Sequence, residues 1–201
     1  MRSRPVSCWQ SFAALSSSEL NDNGEENPMR LTPELLKIAN AFASVKDDRV
    51  RSRQLLHMAT QLTPLEPTQL IPENKVPGCL STVHVDATAV EKGDGQVYVE
   101  FVGDSDGLLT KGLAALLIRG LSNNTVDAIQ NVDPAFIKST GIAATVAPGR
   151  SNGFLNMLNL MKKKAKEVEA EYEASAKESD EDPSSACRSI FRHSANHHTR
   201  H

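Results

Sequence analysis

Cysteine is scarce in this chain of 201 residues: only Cys8, Cys79 and Cys187 occur. They lie too far apart for a CxxC ligand pair or a disulfide framework, so any cysteine chemistry rests on a single thiol in a reducing compartment. Aromatic residues are scarce too, at 4% with one tryptophan, and hydrophobic residues reach only 39%. That is thin for a fully ordered domain and suggests loose segments around a folded centre. The longest apolar run is Leu113 to Ile118, far short of the roughly 20 residues that span a bilayer. Neither sign of charge dominates: 22 Lys+Arg against 25 Asp+Glu leave a net −3. No basic surface therefore points to nucleic acid or to an anionic membrane. GxxxxGK[ST], HExxH and GxSxG motifs are also missing, which removes the familiar phosphate-loop, zincin and serine-hydrolase signatures.

What is there divides into three parts. Residues 1–28 carry Arg2, Arg4 and several serines, with no acid before Glu19; they read as a transit-like or a disordered extension. Residues 29–168 have the periodicities of a folded domain. Residues 169–201 continue a Lys/Glu-coated helix to about Glu178, then end in an acidic, histidine-rich tail in which no function is read.

Within the centre, Thr32-Pro33-Glu34 supplies an N-cap, a first-turn proline and an acid. Leu35, Ile38, Ala39, Phe42 and Val45 follow on one helical face. A second helix is expected over 47–62, and Pro64, Pro67 and Pro72 then break the chain into an extended loop. Val83, Val85 and Ala87 alternate with polar residues, as do Val97, Val99 and Phe101. The Asp94-Gly95 turn between these runs marks a β-hairpin. From Ser105 the period is helical again, through Leu109, Leu113, Leu116 and Leu117. Short helices are expected at 125–131 and 134–139. GIAATVAPGRSNG reads as a loop, and the last helix turns Phe154, Met157, Leu158 and Met161 inward. Helices, a small antiparallel meander, then helices again make an α+β fold.

Cys79 is the remaining candidate for chemistry, in Lys75-Val76-Pro77-Gly78-Cys79-Leu80-Ser81 between the proline-rich loop and the first strand. A cysteine so placed is either exposed at the tip of a turn or tucked beneath it as a small hydrophobe. Around it, ENKVPGCLSTV, GDSDGLLTKGLAALLI and PGRSNGFLNMLNLMKKKA occur in that order, after the helical LxxIANxFASVKDDRVRxxxLLxMATxL. This set, over about residues 30–166, resembles the SufE family of sulfur-acceptor proteins.

The resemblance implies a SufE/NifU-like fold. It also implies a protein that takes persulfide sulfur from a partner cysteine desulfurase for iron–sulfur cluster assembly and stimulates that partner without being an enzyme itself. The desulfurase, not this chain, would hold pyridoxal phosphate, so no cofactor is expected here. A downstream cluster-assembly scaffold would be a further partner, and a homodimer is allowed. The persulfide-bearing cysteine falls on Cys79, the arginine of the PxRSxG segment on Arg150, and the GDSD motif on Gly103 to Asp106. Leu80 and His84 stand where bacterial relatives have a glutamine and a tryptophan, so details of docking depart from theirs.

Arg150 is the expected cation for the thiolate, against a surface arginine capping its own loop. Asp106 is read as a regulator of the cysteine loop or of docking, while Asp104 and Ser105 read as helix caps and His84 as a surface residue. The loop from Pro72 to Gly78 is expected to move the thiol outward on docking. An N-terminal extension on such a core points to a plastid, with cytoplasm and mitochondrion as alternatives. Two other functions compete. A cysteine hydrolase would need His57 or His84 held against Cys79, and a cluster scaffold would need three or four ligands.

Overall fold

The structure, a computed structural model, describes residues 27–93, 95–145 and 148–181. Thr32 caps helix α1 (Pro33–Ser44), its hydroxyl oxygen accepting from the Leu35 amide at 3.3 Å. The same hydroxyl donates to the Gly120 carbonyl, which ties the start of α1 to a distant helix end. Asp47 caps α2 (Asp48–Thr60) by accepting from the Arg49 amide at 2.8 Å. The proline-rich stretch is not merely extended. Pro67 and Pro72 each start a 3-10 turn, Pro67–Gln69 and Pro72–Asn74, because a fixed φ and a missing N–H suit a first helical position.

Strands β1 (Val83–Glu91) and β2 (Val97–Ser105) pair antiparallel, from Val83 opposite Ser105 to Glu91 opposite Val97. Gly93 and Gly95 take φ of 81° and 76° in the turn, a region that suits glycine; Asp94 lies outside the described residues. A two-residue strand, β3 (Asn124–Thr125), adds to β2 and gives the order β1-β2-β3. It is too short for alternation to reveal.

Helix α3 (Leu108–Leu121) is apolar almost all round and nearly wholly buried, as a helix enclosed by other elements must be. It packs on α1, α2 and β2. Its crossing with α2 is so close that a Cβ on Gly112 would meet the Leu55 backbone. Short helices α4 (Val126–Asn131), α5 (Phe136–Ser139) and α6 (Ile142–Thr145) follow. Helix α7 (Pro148–Glu181) then runs against β1 and β2. Phe154, Met157, Leu158 and Met161 are buried in the core, as their spacing predicts.

Three expectations are corrected. Among its described residues, the segment ending in PGRSNG is not a loop: Ile142–Thr145 and Pro148–Glu181 are helical, with Pro148 at the first helical position. The GDSD run does not open α3. Gly103 to Ser105 finish β2, and Gly107 is the N-cap, without a side-chain cap. Asp104 and Ser105 are therefore not caps; Asp104 forms an ion pair with Lys111 at 2.7 Å. The last helix also continues past Glu178 to Glu181.

Candidate functional site

The chain enters the Cys79 loop from a fixed base. Asn74 is 2% exposed, donates to the Gln69 carbonyl at 2.8 Å and accepts from the Lys164 ammonium on α7. Lys164 also lies 3.5 Å from the Asp86 carboxylate, which in turn accepts from the Gln69 amide at 3.2 Å. A buried amide needs such partners, and losing one leaves an unsatisfied polar group. Lys75 then bridges to His84, and the buried Val76 donates its amide to the Val83 carbonyl at 2.9 Å. The other end of the loop is equally held. The Thr82 amide donates to the Asp106 carboxylate at 3.0 Å, and the Asp106 amide to the Thr82 carbonyl at 3.2 Å. Thr110 donates its hydroxyl to that of Ser81 at 3.2 Å.

Between these anchors the backbone turns through Gly78, at φ 67°, and sets Cys79 half-buried against the first turns of α7. The thiol donates to the Gly153 carbonyl at 3.6 Å. A Cβ on Gly153 would come within 3.0 Å of the sulfur, so the absence of a side chain there leaves the room the thiol occupies. Burial pushes the Cys79 thiol above its ordinary pKa, because a thiolate loses hydration there. Donation to a carbonyl also favours the protonated form. Immediately after it Leu80 stands out, 80% exposed, and Leu108 at the start of α3 is 68% exposed.

The fold thus brings Cys79, the GDSD turn and the start of α7 together. Asp106 touches the end of the cysteine loop at Thr82. Arg150 lies on α7 one turn before Gly153; its side chain lies outside the described residues, as do Cys8 and Cys187. Among the described residues neither His57 nor His84 is hydrogen-bonded to Cys79. His57 lines a groove between α1 and α2, and His84 shares a shallow depression with Leu70, Thr82, Asp104 and Asp106. Among the described residues no group of three or more His, Cys, Asp or Glu is placed to hold a metal ion, and no helix is long and apolar enough to cross a membrane. Sequence reasoning missed Asn156, whose side-chain amide donates to the Pro77 carbonyl at 2.9 Å, and Lys164. Both lie on polar positions of an amphipathic helix, where one sequence offers no sign of a partner.

Residues 36–165 match a protein-family description, SufE: Fe-S metabolism associated domain. A SufE-like protein 1 of Arabidopsis thaliana, described as chloroplastic/mitochondrial, is 41% identical over 169 residues, which cover 83% of this chain and 44% of that protein. A cysteine desulfuration protein SufE of Plasmodium vivax is 41% identical over 152 residues, 75% of this chain and 60% of that protein. The chain thus spans about half the length of these relatives. A hypothetical protein of Thermus thermophilus, solved in solution, shares the fold with a TM-score of 0.59 at 24% identity, covering 70% of this chain and 98% of that one.

Proposed function

The chain belongs to the SufE family, and on that premise we propose that it is a sulfur carrier that loads Cys79 from the persulfide of a cysteine desulfurase. The observation that carries the reading is the seat of Cys79: a thiol on a short loop, fixed at both ends, half-buried against Gly153 beside an exposed Leu80. The Cys79 thiolate attacks the terminal sulfur of the donor persulfide. The donor's S–S bond breaks, its own sulfur leaves as a thiolate, and a new S–S bond joins Cys79 to the transferred atom. One sulfur moves without change of oxidation level, so no oxidant or reductant is consumed. The pyridoxal chemistry that makes the persulfide belongs to the donor.

A thiol with a raised pKa is a poor nucleophile at rest, which protects it from stray disulfides and oxidants. Moving into water or onto the partner restores reactivity. Asp106 holds the Thr82 end of the loop, and its role is to keep that end in register while the tip moves. Arg150, one turn before Gly153 on α7, is the cation for the thiolate and the loaded persulfide. Clearing the donor's cysteine speeds its turnover, and the sulfur passes on toward cluster assembly. The Arabidopsis relative's description, chloroplastic/mitochondrial, supports an organellar setting, and the setting proposed for this chain is a plastid.

Desulfurase turnover measured with and without the protein tests this. With an added thiol as reductant, wild type accelerates the partner's conversion of cysteine to alanine and sulfide, whereas Cys79→Ser does not. Equal acceleration by both would end the proposal.

A further inference from the structure

The base of the cysteine loop is the part held most firmly. Asn74 is buried between Gln69 and Lys164, Val76 is buried and paired with Val83, and the Thr82 end is pinned twice to Asp106. Ser81 is held by the Thr110 hydroxyl, so only residues 77–80 remain, with Gly78 at φ 67° as their pivot. Two bonds from α7 hold this tip closed. One is the weak thiol contact to the Gly153 carbonyl at 3.6 Å. The other is the Asn156 amide to the Pro77 carbonyl at 2.9 Å. Asn156 Nδ2 also lies 2.9 Å from where a Gly78 Cβ would sit, so this side chain lies against the pivot itself.

We infer that Asn156 is the positioning residue that latches the Cys79 loop shut, and that a docking partner opens the loop by taking over its amide. Gly153 and Asn156 lie one helical turn apart, so a single face of α7 seats the thiol and holds the backbone just before it. Asn156 is reachable. It lines an open groove of about 550 Å³ with Pro77, Lys75, Asn159 and Lys163, where a carbonyl or carboxylate of the partner can accept the amide in place of Pro77. The exchange leaves Asn156 bonded in both states, and what changes is the freedom of residues 77–80. The Pro72 end of the loop, expected from sequence to move, stays with the base. The inference deepens the sulfur-carrier reading and takes its biological meaning from it.

The test is the alkylation of Cys79 by iodoacetamide, an uncharged reagent, across pH. Asn156→Ala raises the rate at neutral pH about five-fold, the scale expected for one net hydrogen bond. It also moves the pH midpoint down toward that of an ordinary thiol. Asn159→Ala, in the same groove, leaves both at the wild-type values. A wild-type rate and midpoint in a folded Asn156→Ala protein overturn the latch. Asn156→Leu, close to asparagine in size, gives the same decision should the alanine variant fold poorly. If wild type takes up no sulfur from a desulfurase while Asn156→Ala alkylates fast, the carrier reading fails and the latch stands. If sulfur loads and the rates are equal, the latch alone fails.

Discussion

Cys79 and Gly153, 74 residues apart in sequence, meet where the thiol donates to the glycine carbonyl at 3.6 Å. A Cβ on Gly153 would lie 3.0 Å from the sulfur, closer than such atoms ordinarily approach. Gly153→Ala is therefore expected to push the thiol out of its seat. Alanine also favours the helix over glycine by roughly 1 kcal/mol, so thermal stability should hold while Cys79 alkylates several-fold faster. Slower or unchanged alkylation would mean that the sulfur is not seated by this glycine.

The pH dependence follows from the same seat. Burial raises the pKa of the folded Cys79 thiol above its unfolded value of about 8.5. Between those two values the unfolded chain has lost the proton and the folded chain keeps it, so unfolding free energy falls as pH rises through that window. The effect is small, because the group is partly exposed. Urea unfolding of wild type and Cys79→Ser at pH 7 and pH 10 should show the wild type losing more. The alkylation midpoint of wild type should lie above that of a free thiol. A midpoint below it would mean that a cation dominates the resting state.

Much of this was legible in sequence, for reasons that differ from one element to the next. Leu35, Ile38, Ala39 and Phe42 recur at helical spacing behind a Thr-Pro cap, and Val83, Val85, Val99 and Phe101 alternate. Each pattern is local, so each survives folding as read. The GDSD turn did not. Aspartate and serine ahead of an apolar run look like caps, yet the strand pairing carries them to Ser105, opposite Val83, and Asp104 turns to Lys111. Register is a long-range property that no capping rule contains. The same holds for Lys164 and Asn74, whose partners are brought near by the run of α7 along β1.

Packing at the α2–α3 crossing gives a stability prediction. A Cβ on Gly112 would lie 2.7 Å from the Leu55 carbonyl carbon, and backbone cannot swing aside as a long side chain can. Gly112→Ala should cost about 1–3 kcal/mol by overpacking despite its helix preference. A melting temperature at or above wild type would show that the crossing has slack.

Asp106 acts on the backbone of the loop end. Asp106→Ala removes the acceptor of the Thr82 amide, while Asp106→Asn keeps one. Hydrogen exchange at Thr82 should speed up in the alanine variant and recover in the asparagine variant, with a stability loss of about 1 kcal/mol. Equal exchange in both would assign the contact no holding role.

Arg150→Ala tests the cation. It should slow sulfur acceptance from the desulfurase while leaving the fold, followed by circular dichroism, unchanged. Wild-type acceptance kinetics would reduce Arg150 to a surface residue of α7.

The most direct measurement is mass spectrometry of the protein after incubation with a cysteine desulfurase and cysteine, followed by digestion. One added sulfur atom is expected, confined to the peptide carrying Cys79, lost in Cys79→Ser and retained in Cys8→Ser and Cys187→Ser. No added sulfur, or sulfur on Cys8 or Cys187 instead, would contradict the carrier role.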